Sequence, residues 1–143
     1  MYSVILAAVD GSPRAPSVVD AAVEMAERFD ATIHLFRSVA LPQDFPAAAH
    51  MPKDVLPAFL EDEAHRALEA LAAGHPRIRI ESLETTMPAP WRAILAAAAK
   101  CHADLIVIGS HGHSGWDRIL GTNAARVADN ATCSVLVVHG RRG

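Results

Sequence analysis

The fold of this chain is decided by the stretch Asp104-Leu-Ile-Val-Ile-Gly-Ser-His-Gly112-His-Ser-Gly115-Trp-Asp-Arg-Ile-Leu-Gly121-Thr-Asn-Ala124. Its first part is apolar after Asp104 and rich in β-branched residues, which predicts a buried strand. A glycine-rich segment follows, and a short helical pattern begins at Ala124. Glycine lets a ligand come close to the main chain, and the first N–H groups of a helix favour an anion. The order of strand, glycine-rich loop and helix therefore indicates a candidate cradle for phosphate groups.

Two common nucleotide-binding motifs are missing from the sequence. No Gly-Lys-Ser or Gly-Lys-Thr occurs, which excludes a Walker-type loop, and no G-x-G-x-x-G follows the first predicted strand. A surface loop with tight turns would also be rich in glycine. The glycine spacing alone leaves both interpretations of the loop open.

Predicted strands and helices alternate along the chain. Apolar or alternating patterns predict strands over residues 3–9, 31–39, 77–84, 104–108 and 134–139. Apolar residues at helical spacing predict helices over 15–29 and 53–73, a third helix opened by Pro88 and Pro90, and a short one over 124–128. We expect Ser12 to cap the first helix, with Pro13 in its first position. Prolines break the segment 40–52 into an irregular loop, either a rim of the site or plain variable surface.

This alternation predicts an α/β, Rossmann-like fold in which a single doubly wound five-stranded parallel sheet carries helices on both faces. Right-handed crossovers favour the strand order 3-2-1-4-5. Ligands of such sheets bind beyond the carboxyl ends of the strands where the winding reverses, here between strands one and four. Asp10 ends the first strand and Gly109 ends the fourth, so we expect these two segments to meet in space.

Size, charge and hydropathy narrow the class of protein. A chain of 143 residues suits one domain, 1–143, with enough buried surface for a core of its own. A net charge of -3 without a basic stripe argues against nucleic-acid binding, and no apolar run approaches the roughly 20 residues of a membrane span. Cys101 and Cys133 have no metal or redox spacing, which favours free thiols in a reducing compartment. The expected location is cytoplasmic.

The glycine pattern and its surroundings resemble the universal stress protein family. The pattern is Gly109-x2-Gly112-x8-Gly121-Thr122, with Ala103-Asp-Leu-Ile-Val-Ile before it and Cys133-Ser-Val-Leu-Val-Val138 after it. Nucleotide-binding members of the family carry G-x2-G-x9-G-S/T, and the second gap here is one residue shorter. Thr122-Asn123-Ala124 fits the family variant in which a helix starts with G-S-N-A.

The resemblance implies that the protein binds ATP or a related adenine nucleotide, with Mg2+ as a candidate accompanying ion. It further implies a stress-response sensor that, on binding, changes its conformation or exchanges one protein partner, not yet identified, for another. The predicted site residues are Ala8, Val9, Asp10, Ser38, Val39, Ile108, Gly109, His111, Gly112, His113, Gly121, Thr122 and Asn123. The strand ends would form an adenine slot, Asp10 would bind a ribose hydroxyl or help to place a metal ion, and Thr122 and Asn123 would contact phosphate with the glycines. The resemblance also implies a homodimer that pairs through strand five, from Ser134 to His139.

Each of these assignments has a plainer alternative. Asp10 also suits a helix cap, and the apolar site residues also suit ordinary core. His111 and His113 form H-x-H without a third metal ligand at a clear spacing. We therefore favour solvent-facing loop histidines that lie near the phosphates over a metal site. The sequence has no nucleophile elbow and no paired carboxylates in the cradle, which argues against catalysis beyond slow, magnesium-dependent ATP hydrolysis.

Two further functions stay open at this point. One is a nucleotide-independent dimeric stress scaffold, which the shortened glycine gap would suit. The other is a relative of the adenine-nucleotide α-hydrolases, although Asp10-Gly-Ser-Pro13 does not match the Ser-Gly-Gly-x-Asp-Ser loop of those enzymes.

Overall fold

The computed structural model describes residues 1–38, 55–81, 89–110 and 122–139. The elements in these ranges are β1 (Val4–Val9), α1 (Ala15–Phe29), β2 (Thr32–Arg37), α2 (Val55–Ala72), β3 (Ile78–Ile80), α3 (Pro90–Lys100), β4 (Leu105–Gly109), α4 (Thr122–Asn130) and β5 (Ser134–Val138). The strands form one all-parallel sheet in the order β3-β2-β1-β4-β5. The predicted α/β class, the sheet and its strand order are confirmed. Within the same ranges, the helices are too short or too polar to cross a membrane.

The two faces of the sheet carry separate apolar cores because side chains alternate along each strand. On one face, Ile5 and Leu35 pack with α1 and with Leu68 of α2. On the other face, Leu6 and Ile106 pack with α3 and α4. All five side chains are completely buried, and burial of each contributes about 2 kcal/mol. The predicted cover of helices on both faces is confirmed.

Asp104 ties the beginning of β1 to the beginning of β4. Its two carboxylate oxygens accept hydrogen bonds from the backbone N–H of Ser3 at 3.1 and 2.8 Å, and one of them accepts from Val4 at 3.0 Å. The backbone N–H of Asp104 donates to the Val4 carbonyl at 2.9 Å. These bonds support the register in which Ala8 lies beside Ile108 at the other end of the two strands.

The range predicted for α1, 15–29, is confirmed, but its start differs from the prediction. Arg14 is the N-cap and makes no side-chain capping bond, so the prediction of a Ser12 cap with Pro13 as the first helical residue is wrong. The Ser12 hydroxyl instead accepts a hydrogen bond from the Arg14 N–H at 3.2 Å, and Asp10 Oδ1 accepts one from the Ser12 N–H at 2.9 Å. These short-range bonds hold the segment after β1 in turns, which compete with the helix.

The remaining differences lie at the ends of elements. β3 pairs with β2 only over Ile78–Ile80 rather than over 77–84, and residues 82–84 lie outside the described ranges. α4 extends beyond the predicted 124–128 in both directions, and its last turn is closed by the Asn130 side chain, which donates to the Arg126 carbonyl at 2.8 Å. Pro88 and the loop 40–52 lie outside the described residues.

Candidate functional site

A cavity of about 150 Å3 lies at the carboxyl edge of the sheet, between the ends of β1 and β4. The sheet winds outward from β1 to β2 and β3 and then crosses back to β4, so the winding reverses at this point. The lining residues come from strand ends, from the turn after β1 and from the starts of three helices, and they are Ala8, Val9, Asp10, Ser12, Arg14, Ala15, Val18, Ser38, Pro90, Ile94, Ile108, Gly109, Asn123 and Ala124. The cavity lies where ligands of doubly wound sheets bind.

The cavity brings together predicted site residues that are far apart in the sequence. Those that line it are Ala8, Val9, Asp10, Ser38, Ile108, Gly109 and Asn123. Thr122 is the exposed first residue of α4 and is not among the lining residues. Val39, His111, Gly112, His113 and Gly121 lie outside the described residues. Contact of any of these residues with a nucleotide stays a prediction.

The apolar part of the cavity wall belongs to both cores of the sheet. Ala8, Ile94 and Ile108 are buried in the core beneath α3 and α4. Val9 and Val18 are buried in the core beneath α1 and α2. These side chains therefore belong to the hydrophobic core, and the same side chains could also pack against a planar aromatic ring bound between the strand ends.

Asp10 is exposed at the edge of the cavity. Its Oδ1 accepts the Ser12 N–H at 2.9 Å, so the carboxylate supports a local turn. It does not cap α1, whose N-cap is Arg14 without a side-chain capping bond, so the helix-cap alternative is wrong. An ionised carboxylate has about four acceptor directions, so it accepts more than one hydrogen bond. The local role is therefore compatible with an additional contact to a hydroxyl group or to a metal ion.

Three helices begin at this cavity. Ala15 is the first residue of α1, Pro90 is the first residue of α3, and Asn123 lies in the first turn of α4. Some of the first N–H groups are already used, since Ala15 and Ser17 of α1 and Arg92 of α3 donate to nearby carbonyls. The aligned peptide dipoles place about half a positive charge at each start. The electrostatic field in the cavity therefore favours a negatively charged group.

Two arginines add formal positive charge near this edge of the sheet. Arg14 is the N-cap of α1 and lines the cavity. Arg37 ends β2, and a Cβ atom built on Gly11 would lie only 2.9 Å from its Nη2 atom. A side chain at Gly11 would therefore displace the guanidinium group of Arg37.

Gly109, at the end of β4, lies against α1. A Cβ atom at this position would lie 3.4 Å from the Cγ2 atom of Val18, which is an ordinary van der Waals distance. The packing between β4 and α1 would therefore accept an alanine. The neighbouring core by itself does not require glycine here.

Sequence reasoning missed several residues that line the cavity. They are Ser12, Arg14, Ala15, Val18, Pro90, Ile94 and Ala124. Most belong to the turn after β1 or to the beginning of a helix, and a parallel α/β sheet directs helix starts toward its carboxyl edge. That topological signal was sufficient to find the helix starts.

Neither cysteine of the described residues is among those that line the cavity. Cys101 and Cys133 are free and half-buried, as predicted. Burial raises the pKa of both thiols, and the negative charges of Glu81 and Asp104 add to the pKa increase of Cys101 and Cys133 respectively. Both thiols are therefore mainly protonated at neutral pH, which makes them poor nucleophiles. Around the described part of the cavity, Asp10 is the one carboxylate, so a carboxylate pair is missing there.

The chain is similar to proteins of one family over nearly its whole length. The model of the Universal stress protein family matches residues 1–139. Universal stress protein A homolog 1 of Coxiella burnetii is 36% identical over 140 residues, which cover 96% of each chain. The solved structure of universal stress protein UspA from Lactobacillus plantarum has a TM-score of 0.73 at 28% identity and covers 96% of this chain and 97% of that one. A universal stress protein solved in complex with cAMP has a TM-score of 0.65 at 25% identity and covers 98% of this chain and 99% of that one.

Proposed function

The chain belongs to the universal stress protein family, and we propose that it is a member that binds ATP or a related adenine nucleotide in the cavity between β1 and β4. The observation that carries this proposal is the convergence of three helix starts on a partly apolar cavity at the reversal of the sheet. An apolar cavity suits a base, and helix starts suit phosphate. A nucleotide combines both features in one molecule.

The base would occupy the apolar part of the cavity. A volume of about 150 Å3 admits an aromatic ring, since an apolar cavity of roughly this size binds benzene. Ala8 and Ile108 are neighbours across β1 and β4 and would pack against the ring together with Ile94 of α3. Backbone groups near Ser38 would form hydrogen bonds with the edge of the base.

The ribose and the phosphates would extend from the base toward the exposed edge of the cavity. Asp10 would accept a hydrogen bond from a ribose hydroxyl or, with ATP, help to hold Mg2+ beside the phosphates. Asn123 and the first N–H groups of α4 would donate to phosphate oxygens, and Arg14 would supply a formal positive charge. The predicted contacts of Gly112, Gly121 and the two loop histidines belong to the same proposal.

The choice of nucleotide class is supported by a relative. One universal stress protein of similar fold is in complex with cAMP, an adenine nucleotide with a single phosphate. ATP would use the positive field of the helix starts more fully because it carries three phosphates. We propose that binding, rather than rapid hydrolysis, is the functional event, and that the bound nucleotide changes the conformation or the protein partner of this cytoplasmic sensor.

The proposal includes a homodimer formed through β5. In the described sheet β5 lies at one end and pairs with β4. Its side chains Val135, Leu136, Val137 and Val138 are only half-buried, whereas β4 is buried over most of its length. An apolar strand at a sheet edge is suited to pairing with a second copy, and antiparallel pairing of residues 134–139 would cover it.

Equilibrium dialysis of the folded protein against ATP, with and without Mg2+, and against cAMP tests this function. We expect saturable binding of at least one nucleotide at one equivalent per chain. Asp10→Asn should weaken binding, whereas Asp20→Asn, which changes an exposed carboxylate on α1 away from the cavity, should not. A folded dimer that binds neither nucleotide would favour the nucleotide-independent scaffold. Turnover of labelled ATP above that of Asp10→Ala would favour the slow hydrolase.

A further inference from the structure

Three potential metal ligands from different elements meet on the α3 side of the sheet. His34 lies in β2, Glu81 directly follows β3, and Cys101 closes the end of α3. One ligand atom of each residue lies within 4.8 Å of the ligand atoms of the other two. We call these residues the His–Glu–Cys cluster. Sequence spacing gave no sign of it because His34 and Glu81 are 47 positions apart.

The backbone holds each member of the His–Glu–Cys cluster in place. Ile33 and Leu35 point into the core beneath α1 and α2, so His34 between them points to the opposite face, toward α3. The backbone N–H of Glu81 donates to the Leu35 carbonyl at 3.0 Å, and the backbone N–H of Cys101 donates to a carbonyl in the last turn of α3 at 3.1 Å. His34 therefore starts from a strand, and Glu81 and Cys101 start from positions that backbone hydrogen bonds fix at the ends of β3 and α3.

The imidazole and the carboxylate of the cluster are already paired. His34 Nδ1 contacts Glu81 Oε1, and the two side chains are only 17% and 15% exposed. An ordinary surface pair provides a contrast: His65 and Glu69, one turn apart on α2, are 54% and 59% exposed, with Nε2 3.0 Å from Oε1. The pair in the cluster differs because it is largely out of solvent and has the Cys101 thiol beside it.

We propose that the His–Glu–Cys cluster binds one divalent transition-metal ion of the zinc class, with His34, Glu81 and Cys101 as protein ligands and water as the fourth ligand. Imidazole nitrogen, carboxylate oxygen and thiolate sulfur are the donor types that Zn2+ takes in proteins, and sulfur disfavours Mg2+ and Ca2+. Neighbouring ligand atoms around tetrahedral zinc are separated by about 3.5 Å. The three ligand atoms lie within 4.8 Å of one another. An ion would separate His34 Nδ1 from Glu81 Oε1, which are in direct contact, and small side-chain movements would place all three atoms around it.

The charges of the ligands fit a divalent ion. Binding of Zn2+ would displace the Cys101 thiol proton to solvent. A neutral imidazole, a carboxylate and a thiolate then together carry two negative charges, which Zn2+ cancels. Burial of a net charge is costly, and the histidine and the glutamate are mostly shielded from water. A neutral metal complex is therefore the arrangement that brings all three donors together at the lowest electrostatic cost.

The His–Glu–Cys cluster is separate from the proposed nucleotide site. Both lie along α3 but near opposite ends, because Pro90 and Ile94 line the cavity while Cys101 follows the last helical residue. The seven positions from Ile94 to Cys101 correspond to about 10 Å along the helix axis. The metal proposal therefore does not depend on whether the protein binds a nucleotide.

Titration of the full chain with Co2+, after reduction and removal of metal by a chelator, tests the proposal. Co2+ occupies zinc sites and reports its ligands by colour. A thiolate ligand gives a charge-transfer band in the near ultraviolet, and a four-coordinate site gives strong visible absorption. We expect both signals to saturate at one Co2+ per chain and to disappear when Zn2+ is added.

Variants assign the ligands of the bound ion. Cys101→Ser should abolish the near-ultraviolet band, and His34→Gln and Glu81→Gln should each weaken Co2+ binding at least tenfold, since even outer-shell changes cost roughly 10–100-fold in metal affinity. Matched controls are Cys133→Ser, which removes the other thiol, and His65→Ala, which removes the exposed histidine of α2. Both controls should bind Co2+ as the native chain does.

The native chain supplies the decisive result. If it is folded and shows no charge-transfer band, or if the band persists in Cys101→Ser, the proposal is overturned, and the contact of His34 with Glu81 only links β2 to the chain after β3. Circular dichroism monitors the fold of each variant. If the change at His34 prevents folding, the native titration together with Cys101→Ser and Cys101→Ala still decides the outcome.

Discussion

The two ends of the β1–β4 pair are built for different tasks. At the amino end, the Asp104 carboxylate accepts hydrogen bonds from the N–H groups of Ser3 and Val4 at 2.8–3.1 Å. At the carboxyl end, the same two strands border a cavity toward which three helices direct their first residues. A carboxylate of the chain binds backbone N–H groups at one end, whereas the field at the other end suits an external anion.

Because the two ends differ in this way, different residues of the β1–β4 pair should contribute to stability and to ligand binding. Val4 and Ala8 lie four residues apart on β1, which corresponds to about 13 Å. Changes at sites more than about 7–10 Å apart, without shared partners, usually have additive effects. We therefore expect substitutions at the amino end to alter the free energy of unfolding, and substitutions at the cavity to alter ligand affinity, with little effect of either on the other.

The largest effect is expected from Asp104→Ala. The substitution removes the acceptor of three hydrogen bonds that join the start of β1 to β4. Hydrogen bonds to a charged group contribute about 1.5–3 kcal/mol each, and part of this is recovered here because water reaches the freed N–H groups, so we expect a loss of about 2–3 kcal/mol. Urea unfolding followed by circular dichroism measures the change.

Asp104→Asn is the matched control for this prediction. It keeps one side-chain oxygen as an acceptor and should lose roughly half as much stability. Nucleotide affinity, measured on the folded fraction, should be unchanged in both variants. A loss of affinity as large as the loss of stability would contradict the separation of the two ends.

The next effect concerns the cavity end, where Gly109→Ala should weaken nucleotide binding about tenfold, or about 1.4 kcal/mol. The added methyl group meets Val18 at an ordinary distance of 3.4 Å, so the unfolding free energy should change by less than about 0.5 kcal/mol. The expected loss arises because the methyl group would occupy space next to the ligand. Equilibrium dialysis and urea unfolding of the same preparation measure both quantities. Native affinity in this variant would show that a ligand does not approach Gly109 closely.

A smaller effect is expected from Arg14→Ala, which removes a formal charge from the lining of the cavity. ATP binding should weaken about three- to fivefold at low salt, and the difference should shrink as salt is added, because half-exposed charges are screened. Binding of cAMP should change less because it carries less charge. Arg28→Ala is the matched control, since Arg28 is on the same helix but pairs with Glu24 at 2.9 Å on the exposed surface. An equal loss for both nucleotides would assign Arg14 to the base or the ribose instead of the phosphates.

The sheet and its order could be predicted because the signals that encode them are local. The apolar runs of β1 and β4 indicate strands buried on both faces, and the alternation with helices indicates a parallel sheet. The cap of α1 could not be predicted, because Asp10 and Ser12 form turns whose hydrogen bonds compete with helix formation. After a strand, a Ser-Pro sequence can either cap a helix or form a turn, and local propensity does not distinguish the two.

The candidate site could be predicted only in part. Strand ends such as Ala8 and Ile108 follow from the topology, and so does their position beside Asp10. The His–Glu–Cys cluster could not be found because it depends on which face His34 occupies and on where α3 ends relative to β3. Such contacts are set by the packing of distant elements, which neither spacing nor composition encodes.

The smallest effect is expected on the reactivity of the Cys133 thiol when Asp104 is substituted. Burial is the main cause that raises the pKa of Cys133, and the negative charge of Asp104 adds to it. Asp104→Asn removes this charge, so the pKa of Cys133 should fall, more thiolate should be present at a given pH, and iodoacetamide should react faster. Cys101 is the internal control because Asp104 is not among the causes of its raised pKa, and the charge of Cys133 is only the last of those causes. The pH profile separates charge from local opening: loss of charge shifts the midpoint of the reaction rate to lower pH and leaves the alkaline plateau unchanged, whereas opening of the strand end raises the plateau.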